Sequence, residues 1–197
     1  MRRGVVLALL ALALPLAAWA NTIDFTNEFG SINISMTNGI TSTYSPISSY
    51  NGTLAPRRGA QGWVSFGTGA FSGSSLASNG TFSATGSWFD VVRHRGGATI
   101  FSGAFVGPIS WTNTTTTPGR FLTFELSGEI RGMLNGHEAT GMTYQYFKAT
   151  KFQLDKGIAH ITGGSTSLTS TPEPGTLGLL GTGLVGIAGI FRRKKSA

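Results

Sequence analysis

From Leu122 to Ser127 the chain alternates without a break, with Leu122, Phe124 and Leu126 on one face and Thr123, Glu125 and Ser127 on the other. A period of two suits a half-buried strand and cannot give a helix one apolar face. The same alternation, carried by β-branched and aromatic residues, runs through Gly62 to Phe71, Thr81 to Val92, Thr99 to Trp111, Gly141 to Lys148 and Gly157 to Thr162. No comparable stretch repeats at the helical period. Four Asn-Gly pairs, Asn38-Gly39, Asn51-Gly52, Asn79-Gly80 and Asn135-Gly136, punctuate these runs. Each favours a two-residue type I′ hairpin because both residues accept positive φ. The spacing predicts an all-β, mostly antiparallel domain of roughly eight to eleven strands. A β-sandwich is the expected architecture, with a jelly-roll-like arrangement or a barrel as the alternatives.

Charge is placed unevenly. The formal charge is +7, yet between residues 21 and 172 nine Lys and Arg face seven Asp and Glu. The excess lies in Arg2, Arg3 and Arg192 to Lys195. The high pI therefore reports membrane topology, not affinity for nucleic acid. The chain has no cysteine, which excludes disulfides, thiolate nucleophiles and Cys-based metal sites. A domain of about 150 residues is long enough to stabilise itself by its core, and one domain is expected.

The N-terminus reads as a secretory signal. Arg2 and Arg3 precede an apolar run from Val5 to Ala18, and small residues at Ala18 and Ala20 precede the polar Asn21. A basic start, a short apolar stretch and a small-x-small site are the parts a signal peptidase requires. Residues 1–20 are expected as a signal helix cleaved after Ala20, and residues 21–162 as the exported β-rich domain.

Residues 163–171, rich in Gly, Ser and Thr, are expected as a flexible linker. Pro172-Glu173-Pro174 follows, in which two prolines fix φ and favour extended geometry. Leu177 to Phe191 is then an apolar run of 15 residues ended by Arg192, Arg193, Lys194 and Lys195. As a helix it would be about 22 Å long, against a hydrocarbon core of about 30 Å, so it spans only with help from its flanks. The four cations should stay cytoplasmic and leave the domain outside. Five glycines, Gly178, Gly181, Gly183, Gly186 and Gly189, make it a weak permanent anchor.

In this order and spacing, residues 172–197 resemble the PEP-CTERM sorting tail, which has also been labelled an ice-binding protein C-terminal domain. The resemblance implies that Pro172, Glu173 and Pro174 are recognised by an exosortase, a membrane-embedded cysteine protease-like enzyme. It also implies a Gram-negative-type bacterium, a transient inner-membrane intermediate anchored by a transmembrane helix over 177–191, and transfer to the cell surface or an exopolysaccharide matrix. The expected partners are signal peptidase, the exosortase-like protease and exopolysaccharide, with no nucleic acid.

Candidate chemistry within the domain is sparse. Glu125 and Glu129 share a strand face, but four residues of strand separate them by about 13 Å, more than the roughly 5 to 9.5 Å of a hydrolytic carboxylate pair. With Arg131 they read as a solvated row of alternating charge. An enzyme would need carboxylates from different strands, Asp90 with Glu125 for example. His94, His137 and His160 show no ligand spacing, and no metal or cofactor is expected. Arg93 and Arg95 crowd positive charge at a turn, as do Arg57 and Arg58 earlier. Trp63, Trp88 and Trp111, with Tyr144 and Tyr146, alternate with small residues, a pattern that serves either core packing or stacking on sugar rings. Trp63, Trp88, Trp111, Arg93 and Arg95 are therefore the candidate glycan contacts. The expected function is structural or adhesive and non-enzymatic, with a carbohydrate-binding module or glycan-active enzyme as the alternative.

Overall fold

The computed structural model describes residues 22–56, 59–93, 97–117 and 119–170. The signal segment, Arg57, Arg58, His94, Arg95, the Pro172-Glu173-Pro174 motif, the apolar run 177–191 and the basic cluster 192–195 lie outside the described residues. Among the described residues no helix is long and apolar enough to cross a membrane.

Among the described residues there are twelve strands, more than the eight to eleven expected: β1 Thr22–Asn27, β2 Ser31–Ser35, β3 Gly39–Tyr50, β4 Thr53–Leu54, β5 Trp63–Gly67, β6 Phe71–Ser72, β7 Gly80–Phe82, β8 Trp88–Val92, β9 Thr99–Asn113, β10 Phe121–Leu134, β11 His137–Thr150 and β12 Ile158–Ser170. Strands β5 to β12 overlap the alternating stretches, whereas β1 to β4 lie before the first of them. Among the described residues one short helix, α1 Lys151–Asp155, joins the last two strands. It starts in a capping box, in which the Thr150 hydroxyl accepts from the Gln153 amide and the Gln153 side chain accepts from the Thr150 amide. Two orphan amides are satisfied reciprocally there.

The strand order is β10-β11-β12-β1-β3-β5-β8-β9, and β9 pairs back onto β10. Eight antiparallel strands thus close into a barrel in which neighbours in space are neighbours in the chain, apart from short excursions. The expected sandwich is corrected to the barrel: β10 is paired along both sides, with β11 and with β9, and β12 closes on β1 from Thr22↔Thr169 to Asn27↔Gly164. Closure leaves the barrel no edge to protect. Strand β2 continues the line of β1 between β12 and β3. Strands β6 and β7 form a small flap beside the second half of β9.

The linker expected over 163–171 is also corrected, because Gly163 to Ser170 belong to β12. Their Ser/Thr/Gly composition resembles a linker, but Thr166 and Leu168 point inward and are buried. The compact unit covers residues 22–169.

Alternation fills the interior. Leu126, Ile130 and Phe124 of β10 are buried with Phe66, Phe89, Phe101 and Phe147, while Glu129 and Arg131 face out, 3.9 Å apart and exposed. Apolar residues inside and polar ones outside is the reverse of a membrane barrel, whose lipid-facing wall must be apolar. The core is largely aromatic: Trp111 stacks on Phe124 at 4.6 Å and lies 5.4 Å from Phe147, and Phe66 stacks on Phe89 at 5.9 Å. The Trp111 indole donates to Leu76 O at 2.9 Å, so its one polar atom is satisfied as burial requires.

The turns separate the four Asn-Gly pairs. Asn51-Gly52 and Asn135-Gly136 have positive φ at both residues, as a type I′ turn demands. At the first pair only Gly39 is left-handed; a three-residue loop between Ser35 and Gly39 makes the turn followed by a left-handed glycine instead. Asn79-Gly80 is no hairpin: Gly80 opens β7, and the Asn79 side chain accepts from the Asn113 amide at 2.7 Å.

Candidate functional site

The barrel sorts the sequence-predicted aromatics into two groups. Trp111 is wholly buried and is withdrawn as a glycan contact. Trp63 and Trp88 are half-buried on the outer wall, on paired strands. Strand β5 turns Trp63, Ser65 and Gly67 outward, and β8 turns Trp88, Asp90 and Val92 outward. The register sets Trp63 opposite Val92, Ser65 opposite Asp90 and Gly67 opposite Trp88. The two tryptophans therefore occupy diagonal ends of one face, about 13 Å apart along the strands, with the Ser65 hydroxyl and Asp90 carboxylate between them.

Each end is built up further. The Trp88 indole lies across β5 on Gly67, where an added Cβ would collide with its Nε1 edge. The missing side chain of Gly67 is what lets the indole approach the strand there, the aromatic cover of a strand glycine. At the other end Tyr44 of β3 meets Trp63 edge to face, with ring centroids 6.3 Å apart. Tyr44 is an exposed residue with φ 59. It sits in a bulge where the β3–β5 register shifts between Ser42 and Ser45, and its amide is held by Ser65 Oγ at 2.9 Å. A second aromatic, Phe29, has φ 64 in the break between β1 and β2 and is 71% exposed. Its carbonyl accepts from Ser45 Oγ at 2.7 Å, beside Tyr44. Among the described residues the other left-handed non-glycine positions are Asn51 and Asn135, in turns. Asparagine tolerates that region, whereas a bulky ring pays about 1–2 kcal/mol there.

Arg93 follows Val92 and is exposed. Burial pushes the Tyr50 hydroxyl above its ordinary range, and the Arg93 charge partly offsets the rise. Tyr144 and Tyr146, with Met142, form an exposed stripe on the outer face of β11, and Lys148 covers the Phe121 ring at 4.3 Å.

Sequence reasoning missed a polar cluster inside the barrel. Asn27 and Gln145, both fully buried, exchange amide hydrogen bonds of 3.0 and 3.2 Å. Asn27 also donates to Ser45 Oγ at 2.8 Å. Gln145 donates to Thr143 Oγ1 at 3.0 Å, which pairs with Thr166 Oγ1 at 2.8 Å. Strand β12 runs between the strands that carry the two amides, and Gly164, opposite Asn27, lets them meet: a Cβ there would collide with both amide oxygens. The signal in the sequence was polar Thr143 and Gln145 on the face that β11 shares with Phe147. Ser42 Oγ is buried without a hydrogen-bond partner.

The enzymatic arrangement does not assemble from Asp90 and Glu125. Asp90 is opposite Ser102, which is opposite Met133; Glu125 lies eight residues further along β10, about 27 Å away. A cavity of about 380 Å³ beside the β6–β7 flap is lined by Ala70, Ser72, Gly107, Pro108 and residues 81–85, with no titratable side chain. His137 and His160 are exposed at separate places on β11 and β12, and His160 Nε2 lies 3.3 Å from Gln153 Nε2.

Comparison with protein families finds the PEP-CTERM protein-sorting motif at residues 170–195. The motif directs its bearer to exosortase, a membrane protein, for sorting toward the cell surface. Neither curated proteins nor solved structures give a match.

Proposed function

We propose that a barrel followed at once by this sorting motif is an exported surface or extracellular-matrix protein, structural or adhesive in role, that associates with exopolysaccharide. The observation that carries the reading is the junction: the motif begins at residue 170, the last residue of the closing strand β12. Every described pairing of β12 with β1 and β2 lies between Ile158 and Thr169, on the barrel side of the Pro172-Glu173-Pro174 motif. The protein is held in the inner membrane by residues 177–191 and delivered by cleavage near Pro172-Glu173-Pro174.

The role is non-enzymatic in this reading. The separation of Asp90 from Glu125 supports it, as does the solvated Glu129–Arg131 pair, where a surface ion pair contributes little beyond solubility. The test is the intact mass and location of the protein in its producing cells, with Pro172, Glu173 and Pro174 native or replaced by alanine. Loss of the tail in the native chain and inner-membrane retention of the variant are expected. An uncut tail in both chains would make this an ordinary anchored domain.

A further inference from the structure

We propose that the outer wall of β3, β5 and β8 is a polysaccharide-binding platform, on which Trp63 and Trp88 stack against pyranose C–H faces while Asp90 and Ser65 bind hydroxyls between them. The proposal deepens the association with exopolysaccharide given above and rests on it. The register is the first support. Two tryptophans on one face, separated by about 13 Å of strand, match an extended oligosaccharide and exceed a single sugar. Tryptophan offers a large flat surface at low conformational cost.

Strain is the second support. Phe29 and Tyr44 are held left-handed at neighbouring breaks in the sheet, tied together through Ser45. Bulges of this kind re-aim side chains beside binding sites, and strain that persists at an exposed ring points to a use for that ring. Here the bulge holds Tyr44 perpendicular to Trp63, with ring centroids 6.3 Å apart, at that end of the platform.

Charge selects the occupant. Asp90 stands at the centre of the platform, half-buried opposite Ser65. A protein partner would bury that carboxylate in the middle of an interface, where charge is disfavoured. A sugar supplies hydroxyl donors at that place, and hydrogen bonds to a carboxylate are the strong kind.

The test is affinity electrophoresis of the full chain in detergent through gels containing the polysaccharide fraction of the producing cells' own matrix. The native chain is expected to be retarded. Trp63→Ala with Trp88→Ala should weaken retardation at least about tenfold, as anchor residues do. Tyr44→Asn, which accepts the left-handed backbone, should weaken it while the melting temperature holds or rises by about 2–4 °C. If the double variant fails to fold, Asp90→Asn carries the test, with a several-fold loss expected.

Native retardation that persists unchanged in Asp90→Asn and Tyr44→Asn would overturn the platform and leave polysaccharide association elsewhere on the chain. No retardation of the native chain would overturn both, without touching the sorting of the tail. Retardation that survives periodate oxidation of the fraction would identify a non-carbohydrate partner and overturn the proposal.

Discussion

Removing the Asn27 side chain should damage the barrel more than its size suggests. Asn27→Ala deletes three hydrogen bonds, to Ser45 Oγ, from its amide to Gln145 Oε1, and from Gln145 Nε2 back to its own oxygen. Gln145 Oε1 is left without a protein donor, and one Nε2 proton loses its acceptor, in a fully buried place. Each orphaned group costs about 1–3 kcal/mol, so the single substitution should cost about 4 kcal/mol, a large share of a total of about 5–15. Gln145→Ala should cost a similar amount, since it orphans the Asn27 oxygen. The double variant removes both halves together and should cost about 5–6 kcal/mol, well short of the sum of the two, with a coupling of about 2–3 kcal/mol. Urea unfolding followed by Trp fluorescence measures this: at a slope of about 2 kcal/mol per M, each single variant should move the midpoint by about 2 M. Gly164→Ala should show the same defect without touching either amide, because its Cβ occupies the gap through which they meet. Single-variant costs that simply add in the double variant would refute the reasoning and reduce the pair to two independent polar residues.

The remaining predictions concern the aromatics. Trp111→Ala should cost about 3–5 kcal/mol, as truncation of a large core ring does, and clearly more than Trp63→Ala by the same urea titration; equal losses would contradict the division between inner and outer tryptophans. Tyr50 ionises less readily folded than unfolded. Stability should therefore be flat below the ordinary value of 10.0 and fall as pH rises from there toward the folded value. Tyr50→Phe should remove that decline, and an identical alkaline slope in the variant would assign it to other groups.

The inward set of β10, Leu122, Phe124 and Leu126, was readable because period two is a local property, and two Asn-Gly turns were readable because positive φ is a demand on individual residues. Closure was not readable. A strand buried on one face shows the same alternation whether its partner face belongs to a second sheet or to the far wall of a barrel. The last strand was hidden for a related reason: the inward residues Gly164 and Thr166 owe their burial to Asn27, Thr143 and Gln145, partners distant in the chain. Trp63 and Trp111 alternate alike with small neighbours, and only the register assigns one to the surface and the other to the core. The sorting tail is the opposite case, since prolines, an apolar run and a basic cluster each act through their own chemistry.

The pairing of Thr22 with Thr169 also sets the order of events in assembly. These residues are 147 positions apart, so the first strand to emerge waits for the last before its free edge is matched. Until then the chain is an open sheet with two adhesive margins, the arrangement most exposed to joining a neighbour's edge. A topology so rich in distant pairings folds slowly. The clasp between β1 and β12 can fasten only when the stretch bordering the sorting motif has been delivered, so the same few residues that complete the fold also bring the chain within reach of its sorting enzyme.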